Sequence, residues 1–405
     1  MRTPPRVVFL DRTTPPHIST LIVLAGVSAM AMNMFLPSLP NMAKHFGVSY
    51  AFMQLTVPLY LGVSAVLQTI IGPLSDKFGR RPILLWGLAL FVLFSLICVN
   101  APNAEIFLFS RMAQASIAVG MVLSRAAIRD IYDQEQAASM IGFVTMGMAL
   151  VPMISPVIGG ALDQLFGWKA VFWAFVLIGL IAFAMTWNDL GETAQSSGKT
   201  LIEQFKEYPE LFRSYRFWGY AMSAAFSSGA FFSFLGGAPF VGSELFGLSP
   251  FWLGFCLGAP AIGYAIGNGL TGRYARKIGI NRMILIGSCL NAGGVTVSLI
   301  IFLLGYGTSF TFFGLMTFVG LGNGFVMPNA TAGLLSVRPH LAGTASGLGG
   351  AIMIGGGAAL SALAGSLLTV ETGAFPLLWI QVSTAVAGLC AISAVFWRER
   401  QVRLA

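Results

Sequence analysis

The stretch Gly72-Pro-Leu-Ser-Asp-Lys-Phe-Gly-Arg-Arg-Pro82 separates two long apolar runs of the chain. It concentrates three cations and one carboxylate in a short turn, although only 9% of all residues are charged. A turn of this kind cannot lie in hydrocarbon, because its charges and open backbone need water. It therefore predicts a polar connection between two membrane helices at one surface of a bilayer.

The rest of the chain fits a membrane protein. Its 405 residues are 56% hydrophobic with a mean hydropathy of +0.79, which excludes an ordinary soluble domain. A helix needs roughly 20 apolar residues to cross a bilayer, and runs of about this length recur along the sequence. We predict twelve membrane helices: Ile18–Leu39, Phe52–Ile71, Ile83–Val99, Ile106–Ala126, Ala138–Leu162, Ala170–Trp187, Phe217–Phe240, Phe251–Gly272, Met283–Leu304, Phe310–Leu335, Leu341–Val370 and Phe375–Trp397.

The cations predict the orientation. Twenty of the 23 Lys and Arg residues fall in the termini and in the turns on the side of the termini, which are then cytoplasmic. Lys44 and Lys169 fall in outer turns, and Arg111 alone is assigned to the interior of a helix. We predict a multi-pass protein of a bacterial inner membrane with both termini cytoplasmic. The net charge of +8 then reflects topology, and no nucleic-acid partner is needed.

The helices divide into two sets of six. The predicted domains are an N-terminal bundle at 1–187, a cytoplasmic linker at 188–216 and a C-terminal bundle at 217–405, and an amphipathic helix is expected near Leu201–Phe212 in the linker. The basic turn Gly272-Arg-Tyr-Ala-Arg-Lys-Ile-Gly279 follows the eighth helix as the opening stretch follows the second. Transporters that work by alternating access place a substrate site between such repeated halves.

The motifs identify a family. Gly72-x-x-x-Asp76-Lys-x-Gly79-Arg-Arg81 matches, at each defining position, the signature that joins the second and third helices of major facilitator superfamily transporters. With Leu36-Pro-Ser-Leu-Pro40, Arg129-Asp130-Ile-Tyr132 and Glu192-Thr193, the chain resembles the twelve-helix drug:proton antiporter branch, specifically its Bcr/CflA-like members, over nearly its whole length. The resemblance implies an all-α membrane fold of two pseudo-symmetric bundles. It also implies export of small apolar or amphipathic molecules, with protons as coupling ion and no cofactor or enzymatic activity.

The resemblance also implies a gating set. A carboxylate at Asp76 is favourable beside the positive end of the eleventh helix, and Arg80 follows at ion-pairing spacing. The alternative is that these cations only fix topology and bind anionic lipid heads. In the fifth helix Ser155 stands where the family has Gly before Pro, which weakens an inferred export direction. The gating candidates are Gly72, Asp76, Lys77, Gly79, Arg80, Arg81, Asp130, Pro156, Gly159 and Gly160.

Arg111 is a second candidate site. An ionisable group inside a membrane helix costs roughly 2.5–3.5 kcal/mol and usually marks function. Arg111-Met-Ala-Gln114 resembles the fourth-helix signature, whose arginine faces the cavity and is tied to proton coupling. The alternative is an arginine that extends to the outer interface.

The first helix departs from the subfamily. Asn33 occupies the place of the acid associated with proton coupling, and all fifteen acids of the chain fall near the predicted helix ends or in turns. An amide cannot titrate, so coupling is displaced to Asp130 or Asp163, is carried by the charge of the substrate, or is absent. Such a cavity should disfavour lipophilic cations and accept neutral or anionic solutes. The alternative is that Asn33 is a harmless variant.

Polar and aromatic residues at mid-helix positions are the substrate-binding candidates. They are Asn33, Phe35, Tyr60, Gln68, Arg111, Gln114, Phe234, Tyr264, Asn268 and Asn329. Competing functions are import of a specific metabolite and a transport-inactive sensor on the same fold. The four cysteines lack paired spacing, and no motif predicts a metal or nucleotide site. We expect a monomeric transporter of small molecules that contacts membrane lipid.

Overall fold

The computed structural model describes residues 7–132, 134–193, 209–338 and 342–404, and within these ranges the chain is helical without strands. Eleven helices there are long and apolar enough to cross a membrane. The 33-residue helix Gln134–Phe166 occupies the place of the fifth predicted helix. The structure agrees with the predicted fold of twelve membrane helices, which we number in chain order.

Seven membrane helices are continuous. They are the third, Arg80–Val99, the fifth, Gln134–Phe166, the sixth, Lys169–Asp189, the ninth, Ile280–Leu303, the tenth, Ser309–Val337, the eleventh, Ala342–Leu367, and the twelfth, Phe375–Leu404.

The other five are built of consecutive segments. The first helix comprises Ile18–Asn33, a 3-10 turn Leu36–Ser38 and Leu39–Phe46, and the second comprises Tyr50–Gln54 and Thr56–Phe78. The fourth comprises Ala104–Ala113, a 3-10 turn Gln114–Ile117 and Ala118–Ile131. The seventh comprises Tyr215–Phe240 and a π turn Val241–Leu245, and the eighth comprises Pro250–Leu257 and Ala259–Ile278.

Several helices continue past the predicted boundary. The second ends at Phe78 instead of Ile71, and the fourth ends at Ile131 instead of Ala126. Hydropathy detects the hydrocarbon-crossing part only, whereas the helix itself continues through the polar surface layer. Arg125, one of the twenty cations assigned to the cytoplasmic side, lies within this longer fourth helix, six residues before its end.

The two basic turns have the same backbone geometry in both halves. Gly79 has φ +97° and Gly279 has φ +90°, and each immediately precedes the next helix. Residues with a side chain rarely adopt this region, so both turns require glycine. The duplication that the sequence indicates is thus repeated in local structure.

Two helix pairs form the main contacts between the halves. The second helix packs against the eleventh, and the fifth packs against the eighth. At the second contact a side chain on Gly160 would overlap the carbonyl of Pro250, and one on Gly254 would overlap the carbonyl of Pro156. These backbones approach closely because both glycines lack a side chain. The domain boundaries stay a prediction, and residues 201–208 of the expected linker helix lie outside the described residues.

Candidate functional site

Arg80 is the centre of a charged cluster at the basic face of the bundle, which we call the inner face. Its guanidinium lies 2.5 Å from Asp76 Oδ1 at the end of the second helix, and 3.1 Å from Asp130 Oδ2 on the fourth. It also donates to the hydroxyl of Ser75 and, over 3.3 Å, to the carbonyl of Gly72. The structure thus brings together Asp76, Arg80 and Asp130, three charges of the gating set that the resemblance implies. All three belong to the first half.

Glu192 closes this cluster from the sixth helix side. Its carboxylate accepts from the backbone N–H of Arg80 at 2.8 Å and of Arg81 at 3.3 Å, so it caps the first turn of the third helix. An anion at this position is favourable because the first N–H groups of a helix have no partner within it. A side chain on Gly79 would overlap this carboxylate, which adds a second reason for glycine there.

The remaining basic candidates of the turn differ from each other. Arg81 donates to the carbonyls of Leu190 at 2.9 Å and Trp187 at 3.0 Å, and its guanidinium lies 4.9 Å from the Trp187 ring. It therefore ties the third helix to the end of the sixth. Lys77 is exposed beside Phe78 and lies outside the Arg80 cluster. The side chains of 342–344 are not described, so the expected contact between Asp76 and the eleventh helix stays a prediction.

Arg111 is completely buried in the first half. Its guanidinium is sandwiched between the rings of Phe35 and Tyr60, at 4.1 Å from each centroid. Nη2 donates to the carbonyl of Ala31 at 2.5 Å, and Nη1 donates to Gln114 Oε1 at 2.8 Å. The residue does not extend to an interface, so the alternative of an outer snorkelling arginine was wrong.

The surroundings of Arg111 explain how it is tolerated without an acid. Among the described residues no carboxylate forms an ion pair with it. The Ala31 carbonyl belongs to the last turn of the helix Ile18–Asn33, where the negative end of the dipole favours a cation. Two aromatic faces add cation–π attraction of about 2 kcal/mol or more at a desolvated site. Dipoles and rings thus replace the missing counter-ion.

This geometry agrees with what the sequence shows by comparison. Residues 21–362 match the family model of the Major Facilitator Superfamily. The chain belongs to the Major Facilitator Superfamily. It is thus a transporter of small molecules and a multi-pass membrane protein, as the motifs predicted, and not an enzyme.

Relatives in this superfamily align over most of their length. The chain is 28% identical to "Bicyclomycin resistance protein homolog" of Haemophilus influenzae, over 94% of this chain and 96% of the relative. It is 31% identical to "Chloramphenicol resistance protein" of Pseudomonas aeruginosa, over 91% and 88%. It is 26% identical to "Multidrug resistance protein D" of Escherichia coli, over 88% and 90%. The names agree with the Bcr/CflA-like branch that the motifs indicated.

The substrate-binding candidates of this transporter do not form one group. Phe35, Tyr60, Arg111 and Gln114 meet as described, and Gln114 reaches on to the hydroxyl of Ser95 at 2.7 Å. Asn33, adjacent in sequence, donates to the Ala29 carbonyl at 2.8 Å, within its own helix.

Of those in the second half, Tyr264 and Asn268 are neighbours on the eighth helix, whereas Phe234 and Asn329 lie on the seventh and tenth helices. Phe234 packs against Phe312 and Phe313 inside this half, so it is a core residue in this conformation. Asn329 donates to its own helix, and so does Asn268, through the carbonyl of Tyr264. Gln68 is half-buried in the second helix.

Two structural roles escaped the sequence analysis. Asp189, assigned to the linker, is buried and accepts from the backbone N–H of Leu10 at 2.7 Å and of His17 at 2.9 Å, so it fixes the N-terminal segment. In the second half, Ser227 donates to Asn323 at 2.7 Å and Asn291 donates to Ser227, which forms a buried neutral network. A buried acid beside free backbone N–H groups has no local sequence pattern, and neither does an amide network.

Proposed function

We propose that this chain exports small amphipathic, drug-like molecules by alternating access, and that it prefers neutral or anionic solutes. The names of three relatives, which concern resistance to bicyclomycin, chloramphenicol and several drugs, support efflux over import or sensing. The observation that supports the charge preference is Arg111, a buried cation without a carboxylate partner among the described residues.

Charge selection follows from the same site. A lipophilic cation entering beside Arg111 meets like charge in a medium of low dielectric, where repulsion is strong. Asn33 ends the helix segment Ile18–Asn33, in which the Ala31 carbonyl accepts from Arg111, and its amide supplies no negative charge. A neutral or anionic solute avoids this penalty.

We expect Asn33→Asp to change this preference. A carboxylate at this position would lie in the chain between Ala31 and Phe35, the two residues of the first helix region that contact Arg111, and would offset the positive charge. In cells that lack other pumps, efflux of ethidium relative to chloramphenicol should rise at least tenfold. Fluorescein efflux should fall.

Asn329→Asp is the matched control for this experiment. Asn329 is also buried and also donates to the carbonyl four residues earlier, but it lies in the tenth helix of the other half. If the effect of the added charge is local to Arg111, the ratio of ethidium efflux to chloramphenicol efflux should change little in Asn329→Asp. Equal ratios in the wild type and Asn33→Asp, or the same shift in both variants, would contradict charge selection at Arg111.

We further propose that coupling differs from the proton exchange that the family resemblance implies. Asp130 is ion-paired with Arg80 at the inner face, and Asp163 lies in the last turn of the fifth helix at the opposite end. Neither is placed to carry a proton through the bilayer centre. An inside-negative potential favours outward movement of a monoanion by about 2.3 kcal/mol per 100 mV, or about 50-fold. The charge of the substrate can therefore drive export.

Proteoliposomes distinguish the two energy sources. A valinomycin-set, inside-negative potential should accelerate fluorescein efflux and leave chloramphenicol efflux unchanged, whereas external acidification at zero potential should have little effect on either. The reverse pattern, with proton-linked flux that persists after Asp130→Asn and Asp163→Asn, would overturn this proposal. The proposed setting is a bacterial inner membrane with both termini cytoplasmic, and the proposed state is a monomer.

A further inference from the structure

We propose that Gln54 is a gating residue that closes the face opposite the inner face, here called the outer face, by entering a glycine-lined socket of the other half. The socket comprises Gly236 of the seventh helix and Ser361 and Gly365 of the eleventh. This inference rests on the alternating-access part of the proposed function, and it is independent of substrate, direction and coupling.

Gln54 crosses from one half to the other. It is fully buried at the end of the segment Tyr50–Gln54, and its Nε2 donates to the backbone carbonyl of Ser361 at 2.8 Å. A side chain on Gly365 would overlap the Gln54 amide oxygen, and one on Gly236 would come within van der Waals overlap of its nitrogen. The amide group therefore occupies space that exists only because both neighbours are glycine.

Tyr50 supports the same contact from one helical turn earlier. Its hydroxyl donates to the Gly236 carbonyl at 3.4 Å, and its ring packs against Phe240 with centroids 5.1 Å apart. Residues four apart share one face of a helix, so one face of the second helix meets the second half twice. The fifth–eighth helix contact between Gly160 and Pro250 lies at the same end. The halves are thus closed together at the outer face.

Toward the inner face the eleventh helix has a different environment. A side chain added at Gly347, Gly350, Gly355 or Gly356 would have nothing within 4 Å. A side chain at Gly349 or Gly357 would overlap Leu334 or Phe232 of the same half, so among the described glycines of this helix Gly365 alone would meet the other half, through Gln54.

The chemistry of the socket suits a closure that must open again. One net hydrogen bond contributes about 0.5–1.5 kcal/mol. In the closed arrangement the Gln54 Oε1 and Ser361 Oγ atoms are buried and have no hydrogen-bond partner among the described residues, which offsets part of that gain. Two transporter conformations must stay within a few kcal/mol of each other for the cycle to turn over. A neutral amide with unpaired atoms meets this requirement better than a buried ion pair would.

Gly365→Ala tests the proposal, with Gly356→Ala on the same helix as matched control. Both variants are placed in a background without the four native cysteines and with Ser155→Cys, a buried position next to Pro156 at the fifth–eighth contact. A membrane-impermeant maleimide applied outside intact cells should label the Gly365→Ala protein at least tenfold faster. The Gly356→Ala protein should be labelled like its parent.

A rescue experiment separates loss of closure from loss of folding. Gln54→Ala removes the amide that the new methyl group would overlap, so the double variant Gln54→Ala/Gly365→Ala should be labelled more slowly than Gly365→Ala, but still faster than the parent, because it also lacks the hydrogen bond to Ser361. Equal labelling of Gly365→Ala and Gly356→Ala would overturn the proposal, and so would a double variant that is labelled as fast as Gly365→Ala. If Gly365→Ala does not accumulate, Gln54→Leu alone should raise labelling, because it keeps the volume and removes the hydrogen bond. The readout needs no substrate, so it remains valid if the proposed selectivity is wrong.

Discussion

Replacing Arg80 by alanine should lower the rate of transport at least tenfold. Arg80 joins the second helix, through Asp76, to the fourth, through Asp130, and all three side chains are mostly buried. Without the guanidinium, the carboxylates of Asp76 and Asp130 lose the cation that they share. Removing one partner of a buried ion network costs about 3–5 kcal/mol, and each 1.4 kcal/mol corresponds to a factor of ten. The inner ends of these helices then cease to move as one body.

The initial rate of chloramphenicol transport in inside-out vesicles, per amount of folded protein, measures this effect. Lys77→Ala is the control, because Lys77 belongs to the same turn but is exposed and lies outside the cluster. Its rate should stay within twofold of the wild type. A similar rate for Arg80→Ala would show that the cluster has no part in gating and only fixes topology.

Local patterns were sufficient to predict the fold and half of this cluster. Apolar runs indicated all twelve helices, because a bilayer requires a continuous apolar stretch in each. The spacing of Asp76 and Arg80 predicted their ion pair, although Gly79 interrupts the helix between them. The capping of the third helix by Glu192 was not predicted. Glu192 lies 112 residues after Arg80 in the chain, so this contact depends on how the third and sixth helices pack.

The outer closure was not predictable from one sequence for a related reason. Gln54 begins an apolar helix, where a polar residue ordinarily marks the membrane surface. Gly236 and Gly365 are two glycines among 48, and nothing in their neighbourhood distinguishes them from glycines that meet open space. Only the packing of the second helix against the seventh and eleventh brings the three together. Phe234, a substrate-binding candidate, lies in the core for the converse reason, because a mid-helix aromatic residue packs into the core as readily as it lines a cavity.

Replacing Arg111 should have the second large effect on transport, because the surroundings of this residue fit a guanidinium group. The planar group lies between two rings and donates in two directions, to the Ala31 carbonyl and to Gln114. A lysine ammonium is a compact, strongly hydrated charge that cannot stack on both rings and reach both acceptors. Arg111→Lys should therefore lower transport at least tenfold and also reduce thermal stability, since it keeps the buried charge and loses its partners.

Arg111→Met distinguishes a transport role from a structural one. Methionine fills similar apolar space between Phe35 and Tyr60 without a charge to desolvate, and replacing buried ionic groups by apolar ones is often neutral or stabilising. We expect a melting temperature equal to or above that of the wild type, together with loss of fluorescein transport by at least tenfold. Chloramphenicol transport should fall less, because a neutral solute gains less from the cation. If the methionine variant transports both compounds at the wild-type rate, Arg111 is only a packing residue, and the charge preference proposed for this transporter has no physical basis.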